Sequence, residues 1–170
     1  VNEKEETNVP RRVPMFLLFM RHGEAEPKKP GISDDERRLT QEGRVQVIKV
    51  AKILDLRPKY IISSPLKRAL ETAEIVAEIL GVNEILQRHE LLPEYLDLDN
   101  LRNLLNSTGL EDRDTVLLVG HSPSLEEAIQ ELLGGFRIYL SPGALACLEV
   151  KHPDLSNSSL KLYLRPEFIK

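Results

Sequence analysis

A single cysteine in 170 residues, Cys147, leaves nothing for an internal disulfide to pair, so no covalent framework supports this chain. It sits in the apolar stretch Ala144 to Val150, where a buried, reduced thiol is expected, and that usage fits a cytoplasmic protein. Long apolar runs are missing too: none approaches the roughly 20 residues of a membrane-spanning helix. The N-terminus lacks the charged, apolar and small-residue order of a secretion signal. There is no surplus of positive charge, since 23 Lys and Arg face 27 Asp and Glu for a formal net charge of -4. That balance argues against broad binding of nucleic acid or an acidic membrane, although a local group of arginines can still hold an anion. No internal repeat is visible. What is present is 41% hydrophobic and 29% charged, the material of one globular domain with a real core.

Patterning divides the chain into a polar, proline-bearing tail over 1–14, expected to be loose, and one domain over 15–170. Met15 to Met20 is a continuous apolar run that reads as a buried strand. Glu24 to Leu39, with Pro27, Pro30, Gly31 and many charges, reads as a long loop over that strand's end, its charges turned to solvent. Thr40 is placed to cap a helix from Gln41 to about Leu54. Tyr60 to Ser63 reads as a short strand, and Pro65 as the first turn of a helix ending at Leu80 before Gly81. Further on come a short strand over Asn83 to Gln87, a helix over Asp97 to Asn106, and a strong strand over Thr115 to Val119. Ser124 to Glu127 has capping-box spacing for the next helix, which Gly134-Gly135 closes. Arg137 to Leu140, Ala144 to Val150 and Leu160 to Leu164 then read as strands joined by turns. This alternation predicts an α/β three-layer sandwich, with a mostly parallel central sheet, helices on both faces and an antiparallel C-terminal addition.

Chemistry concentrates where strands end. Arg21-His22-Gly23 follows the first strand and His121 follows the Thr115 strand through one glycine, while Arg68 opens the helix after the Tyr60 strand. Carboxyl ends of parallel strands are where open α/β sheets gather their sites. An imidazole held at one nitrogen offers the other as a nucleophile near neutral pH, and phosphorus is a suitable target. Phosphoryl oxygens in turn need fixed donors, for which arginine forks, a helix N-terminus and a second imidazole are suited. Each residue has a plainer reading: a surface turn for Arg-His-Gly, a solvated charge for Arg68, a cap for His121. Their coincidence at three strand ends favours a phosphate cage of Arg21, Arg68 and His121 around His22. His89 and His152, in polar turns, read as ordinary surface histidines.

Four ordered blocks resemble the histidine phosphatase superfamily, also called phosphoglycerate mutase-like. They are Phe16 to Ala25 with its Arg21-His22-Gly23, Arg38 to Gly43, Ser63 to Ala73 with Arg68, and Val119-Gly120-His121. The likeness runs over roughly Phe16 to Val150. It implies a phosphatase that forms phosphohistidine on His22, with Arg21, Arg68 and His121 binding phosphate and no metal or organic cofactor. Glu94, in Leu91-Leu92-Pro93-Glu94, resembles the family's proton donor, against the plainer reading of a surface carboxylate. The chain's shortness and the Ser141 to Ala146 segment are similar to the small phosphohistidine phosphatase branch, whose open site suits a phosphohistidine displayed on a protein. Ser122, where that branch often has an acid, and Glu71, where glutamine is common, depart from the pattern. A small-molecule phosphomonoesterase or mutase, and a non-catalytic phosphate-binding module, are the alternatives. Expected partners are therefore a phosphorylated substrate, with no nucleic acid and no membrane, and the oligomeric state is left open.

Overall fold

The computed structural model describes residues 14–170, so the tail expected over 1–14 lies outside the described residues except for Pro14. Six strands and four α-helices follow one another as β1 (Met15–Arg21), α1 (Gln41–Ile53), β2 (Tyr60–Ser63), α2 (Lys67–Leu80), β3 (Ile85–Gln87), α3 (Leu98–Ser107), β4 (Thr115–Gly120), α4 (Ser124–Leu132), β5 (Leu145–Lys151) and β6 (Ser156–Leu164). The strands form one sheet in the order β3-β2-β4-β1-β5-β6. The first four run parallel, and β5 and β6 extend the sheet antiparallel to their neighbours.

Alternation along the strands divides the core in two. Leu17 and Phe19 of β1, with Val116 and Leu118 of β4, meet the apolar stripes of α3 and α4 on one face. Leu18 and Met20, with Leu117 and Val119, meet α1 and α2 on the other. Both faces of the parallel strands are thus covered, which is why those strands read as unbroken apolar runs. Cys147 is buried in the second layer, and burial pushes its thiol up to about 11. No helix among the described residues is long and apolar enough to cross a membrane.

Several sequence expectations shift. Thr40 caps α1 by accepting from the Gly43 N–H, and Gly81 closes α2 in the left-handed conformation. Pro65, however, precedes α2 instead of opening it; the Leu66 N–H is held by Ser64 Oγ, and helical geometry begins at Lys67. The capping box before α4 does not form. Ser124 Oγ donates to the His121 carbonyl and Ser122 Oγ to Glu126, so neither hydroxyl accepts from the helix's first turn. Arg137 to Leu140 is not a strand, because both main-chain groups of Leu140 are committed elsewhere: its N–H donates to Glu126 and its carbonyl accepts from Arg21. β6 starts earlier than expected, at Ser156, which shortens the preceding turn to 152–155.

The chain after β1 is pressed against the start of α1. A Cβ added at Gly23 would lie 2.5 Å from the Gly43 carbonyl oxygen, and one added at Gly43 would overlap the backbone of Glu24. Backbone cannot yield as a flexible side chain can. Gly43→Ala should cost about 2–4 kcal/mol in chemical denaturation. Gly31→Ala, with nothing near its Cβ but a φ of 81°, should cost only about 1–2 kcal/mol.

Candidate active site

Register explains why distant residues meet. β2, β4 and β1 are adjacent and parallel, with Ser63 beside Val119 and Gly120 beside Arg21, so their carboxyl ends finish at one level. Arg21 closes β1, His22 follows it, His121 follows β4, and Arg68 lies in the first turn of α2, just beyond β2. The His22 N–H donates to the Gly120 carbonyl at 3.1 Å, tying the two histidine-bearing ends together. The two imidazole centroids are 5.1 Å apart. Arg21, His22, Arg68 and His121 all line one open cup of about 350 Å³.

Each ring has one nitrogen spoken for. His22 Nδ1 lies 2.7 Å from the Gly23 carbonyl, an acceptor only, so Nδ1 carries the proton and Nε2 keeps its lone pair. His121 Nε2 lies 2.8 Å from Ser64 Oγ, which also accepts from the Leu66 N–H. No other acceptor for the hydroxyl's proton is present among the described residues, so that proton goes to Nε2, and a neutral His121 carries its own on Nδ1. That Nδ1 is buried without a partner, as are Arg21 Nε and Arg68 Nε. Buried N–H groups are rarely left unpaired, and these three belong to residues of the same cup. An anion is the ligand such donors suit.

Charge is distributed accordingly. Burial, then Arg68, Arg21 and Arg37, push His22 down to about 4 despite the Gly23 carbonyl. Burial, then His22 and Arg68, push His121 down to about 3. Both rings are neutral near pH 7, while three guanidiniums supply the positive charge. The third, Arg37, lies in the loop whose charges were expected to face solvent. It lines the cup, donating through Nε to Asp34 Oδ1 at 2.8 Å and through NH1 to the Glu26 carbonyl. Asp34 also takes the fork of Arg68, at its carbonyl (2.9 Å) and at Oδ2 (3.3 Å). Although its partial desolvation works the other way, Arg68 and Arg37 hold the Asp34 carboxyl below its ordinary value. The one signal for this pair was the loop's place between β1 and the Thr40 cap, since the Ala25 to Leu39 bridge folds it back over the strand ends.

Glu94 is not in the cup. It is exposed on the wall of an adjoining groove, and its neighbour Pro93 lines the cup instead. The departures at Ser122 and Glu71 also find their settings. Ser122 Oγ donates to Glu126, whose Oε1 receives the Leu140 N–H, and the Leu140 carbonyl holds Arg21 NH1 at 2.9 Å. Glu71 is buried and paired with Arg44 at 2.5 Å. Of the other histidines, His89 is exposed as expected. His152 is not an ordinary surface residue: its side chain is only 16% exposed, near Asp112 and with Nε2 unpartnered. Among the described residues no group of three or more His, Cys, Asp or Glu could hold a metal ion.

Comparisons with known proteins agree with this fold. The model of the histidine phosphatase superfamily (branch 1) matches residues 17–97. A structure of the protein histidine phosphatase SixA complexed with tungstate superposes with a TM-score of 0.79 at 25% identity, covering 89% of this chain and 97% of that one. By the family model over 17–97 and by its fold, the chain is similar to the histidine phosphatase superfamily. Its fold is that of the small SixA-like branch, and a phosphoserine phosphatase of Entamoeba histolytica shares it more distantly, with a TM-score of 0.64 at 19% identity over 88% and 96% of the two chains. Among curated relatives, phosphoglycerate mutase-like protein 4 of Arabidopsis thaliana is 40% identical over 47% of this chain, and an uncharacterised chloroplastic protein of the same plant is 26% identical over 75%. The chain spans 36% and 62% of their respective lengths.

Two histidines buried neutral make an acid-sensitive fold. Their folded values, about 4 and about 3, lie below the ordinary 6.5, so the unfolded chain binds more protons in between. Stability should be complete above about pH 6.5 and fall as pH drops toward 4. In the His22→Ala/His121→Ala variant that slope should flatten, as followed by urea denaturation at each pH.

Proposed function

We propose that this protein is a phosphatase that works in two steps through a phosphohistidine on His22. The observation that carries the reading is the tied Nδ1 of His22, which leaves Nε2 unprotonated in a cup with three unpaired N–H donors. In the first step Nε2 attacks phosphorus in line; the new P–N bond forms as the bond to the leaving group breaks, and the leaving group takes a proton. Water then attacks the phosphohistidine, the P–N bond breaks, inorganic phosphate departs, and Nε2 recovers its lone pair. Charge accumulates on the phosphoryl oxygens during both displacements. Arg21, Arg37 and Arg68 are placed to meet it with fixed charge, and His121 Nδ1–H with a hydrogen bond. No reorganisation is needed at that moment, because the Leu140 carbonyl and Asp34 already hold the guanidiniums.

Within that chemistry we assign protein phosphohistidine as the substrate class. The exposure of Glu94 supports it. A general acid for an alkoxide needs a raised pKa, and burial is the usual means of raising it. Glu94 is exposed on the wall of the groove beside the cup. An imidazole leaves phosphorus more readily than an alkoxide and asks less of the donor, and an open cup suits a phosphoryl group presented by another protein. A small-molecule phosphomonoester is the second reading, favoured by the shared fold of the phosphoserine phosphatase. The whole reaction is assigned to residues 15–170, and the buried, unpaired Cys147 is in keeping with a reducing compartment such as the cytoplasm.

His22→Ala should abolish turnover, a loss of at least about 10⁴-fold given what a removed nucleophile costs. Rapid quench of the wild type should trap an acid-labile, base-stable phosphoryl label; label on serine or aspartate would defeat the mechanism. A panel of phosphohistidine protein, sugar phosphates and nucleotides decides the substrate class by kcat/KM, with phosphohistidine protein expected to lead.

Glu94→Gln gives a separate check on the proton donor. A donor role predicts a roughly 10²-fold loss on a simple alkyl phosphate, the usual scale of a lost general acid, with an activated aryl phosphate nearly untouched; the exposure of Glu94 outside the cup predicts instead small, similar losses on both. Equal losses on the two esters would remove Glu94 from that role.

A further inference from the structure

The cup is not isolated. Arg68 and Pro93 line both it and a neighbouring groove of about 680 Å³, so the two cavities adjoin across these side chains. His89, on the groove's lining, also lines a third hollow of about 380 Å³ beside Tyr95, a residue 56% exposed. Together the three exceed the roughly 1,000 Å³ at the top of the small-ligand range. A phosphoryl group fills the first, and the rest of the track is left for whatever carries it.

The groove's lining is specific in character. Its apolar part is built from Leu66, Leu70 and Leu92, and its rim carries the carboxylates of Asp35, Glu36 and Glu94. The two cations on that lining are both offset: Lys67 stands 3.8 Å from Glu36, and Arg68 is held by Asp34. The acidic wall is anchored to the phosphate cage itself. Asp35 and Glu36 belong to the short 3-10 turn Asp34–Glu36, and Asp34 is bonded to both Arg37 and Arg68. The wall therefore keeps a fixed distance from the cup, as a subsite beside a reaction centre must.

We propose that this groove docks the polypeptide segment bearing the phosphoryl group and selects lysine or arginine next to the phosphorylated residue. Apolar contact with Leu66, Leu70 and Leu92 holds the backbone and side-chain stems, and the carboxylate rim meets the basic heads. The same rim repels nucleic acid and acidic lipid surfaces. Small anionic esters such as sugar phosphates gain nothing from it beyond the cup. The proposal rests on the phosphatase reading and adds to it the substrate's immediate sequence context.

Two phosphohistidine peptides, identical except for lysine or glutamate on each side of the phosphorylated residue, test it alongside 4-nitrophenyl phosphate. The wild type should favour the lysine peptide by about tenfold in kcat/KM, the scale of two or three exposed ion pairs. Asp35→Lys/Glu36→Lys should erase or invert that preference while turnover of 4-nitrophenyl phosphate, which needs only the cup, stays unchanged. The neutral pair Asp35→Asn/Glu36→Gln should fall between, and it serves if the lysine pair folds poorly. Equal kcat/KM on the two peptides, or a preference that survives both double variants, would overturn the groove assignment and leave the phosphatase standing. Absence of wild-type turnover on 4-nitrophenyl phosphate and both peptides would overturn the phosphatase reading and the groove with it.

Discussion

Three guanidiniums held around one cup are the constraint on which the rest of this structure depends. Arg21, Arg37 and Arg68 repel one another, and Arg68 is nearly buried. The fold manages that repulsion in three ways. Asp34 sits between Arg37 and Arg68 and bonds both; the Leu140 carbonyl takes Arg21; and both histidines stay neutral, so they add no further charge. The loop after β1 and the irregular run before β5, neither of which is regular structure, are therefore as necessary to the site as the strands.

The same arrangement sets the chemistry. A histidine buried among arginines is driven to its neutral form by desolvation first and by their charge second, and the Gly23 carbonyl fixes which nitrogen keeps the proton. On the mechanism proposed above, a cage that binds an anion thus also prepares a nucleophile, with no separate base to activate it. The second imidazole is governed by the same logic through a different partner, since the Ser64 hydroxyl occupies Nε2 and leaves Nδ1 for the ligand. Two neutral rings of opposite polarity, one a lone-pair donor and one a hydrogen-bond donor, follow from two different neighbours of the same residue type.

How much of this is legible in the sequence depends on whether a local signal exists. The apolar runs at 15–20 and 115–119 announce β1 and β4, and parallel alternation places their carboxyl ends together, so patterning alone groups Arg21, His22, Arg68 and His121 at one sheet edge. Thr40 and Gly81 mark helix ends because caps are short-range interactions. Arg137 to Leu140 has strand-like composition, but its main chain is claimed by Glu126 and Arg21, which are far away along the chain. Arg37 and Asp34 are hidden for a related reason. A charged loop looks the same whether its charges face water or fold back over a strand end, and only the Ala25 to Leu39 pairing turns this one inward.

Ser122 illustrates how a departure from a motif can leave a contact in place. Beside the second histidine the small branch often has an acid, and here a hydroxyl stands instead. The carboxylate arrives from one turn into α4: Glu126 receives Ser122 Oγ and the Leu140 N–H, and Leu140 in turn holds Arg21. Acid and hydroxyl are four residues apart on the same helical entry, close enough for one to stand behind the other. What the site requires at this corner is a fixed negative group that orders the segment carrying Leu140, and through it Arg21. Geometry can satisfy that requirement from more than one position, so the motif letter is a weaker guide than the contact it stands for.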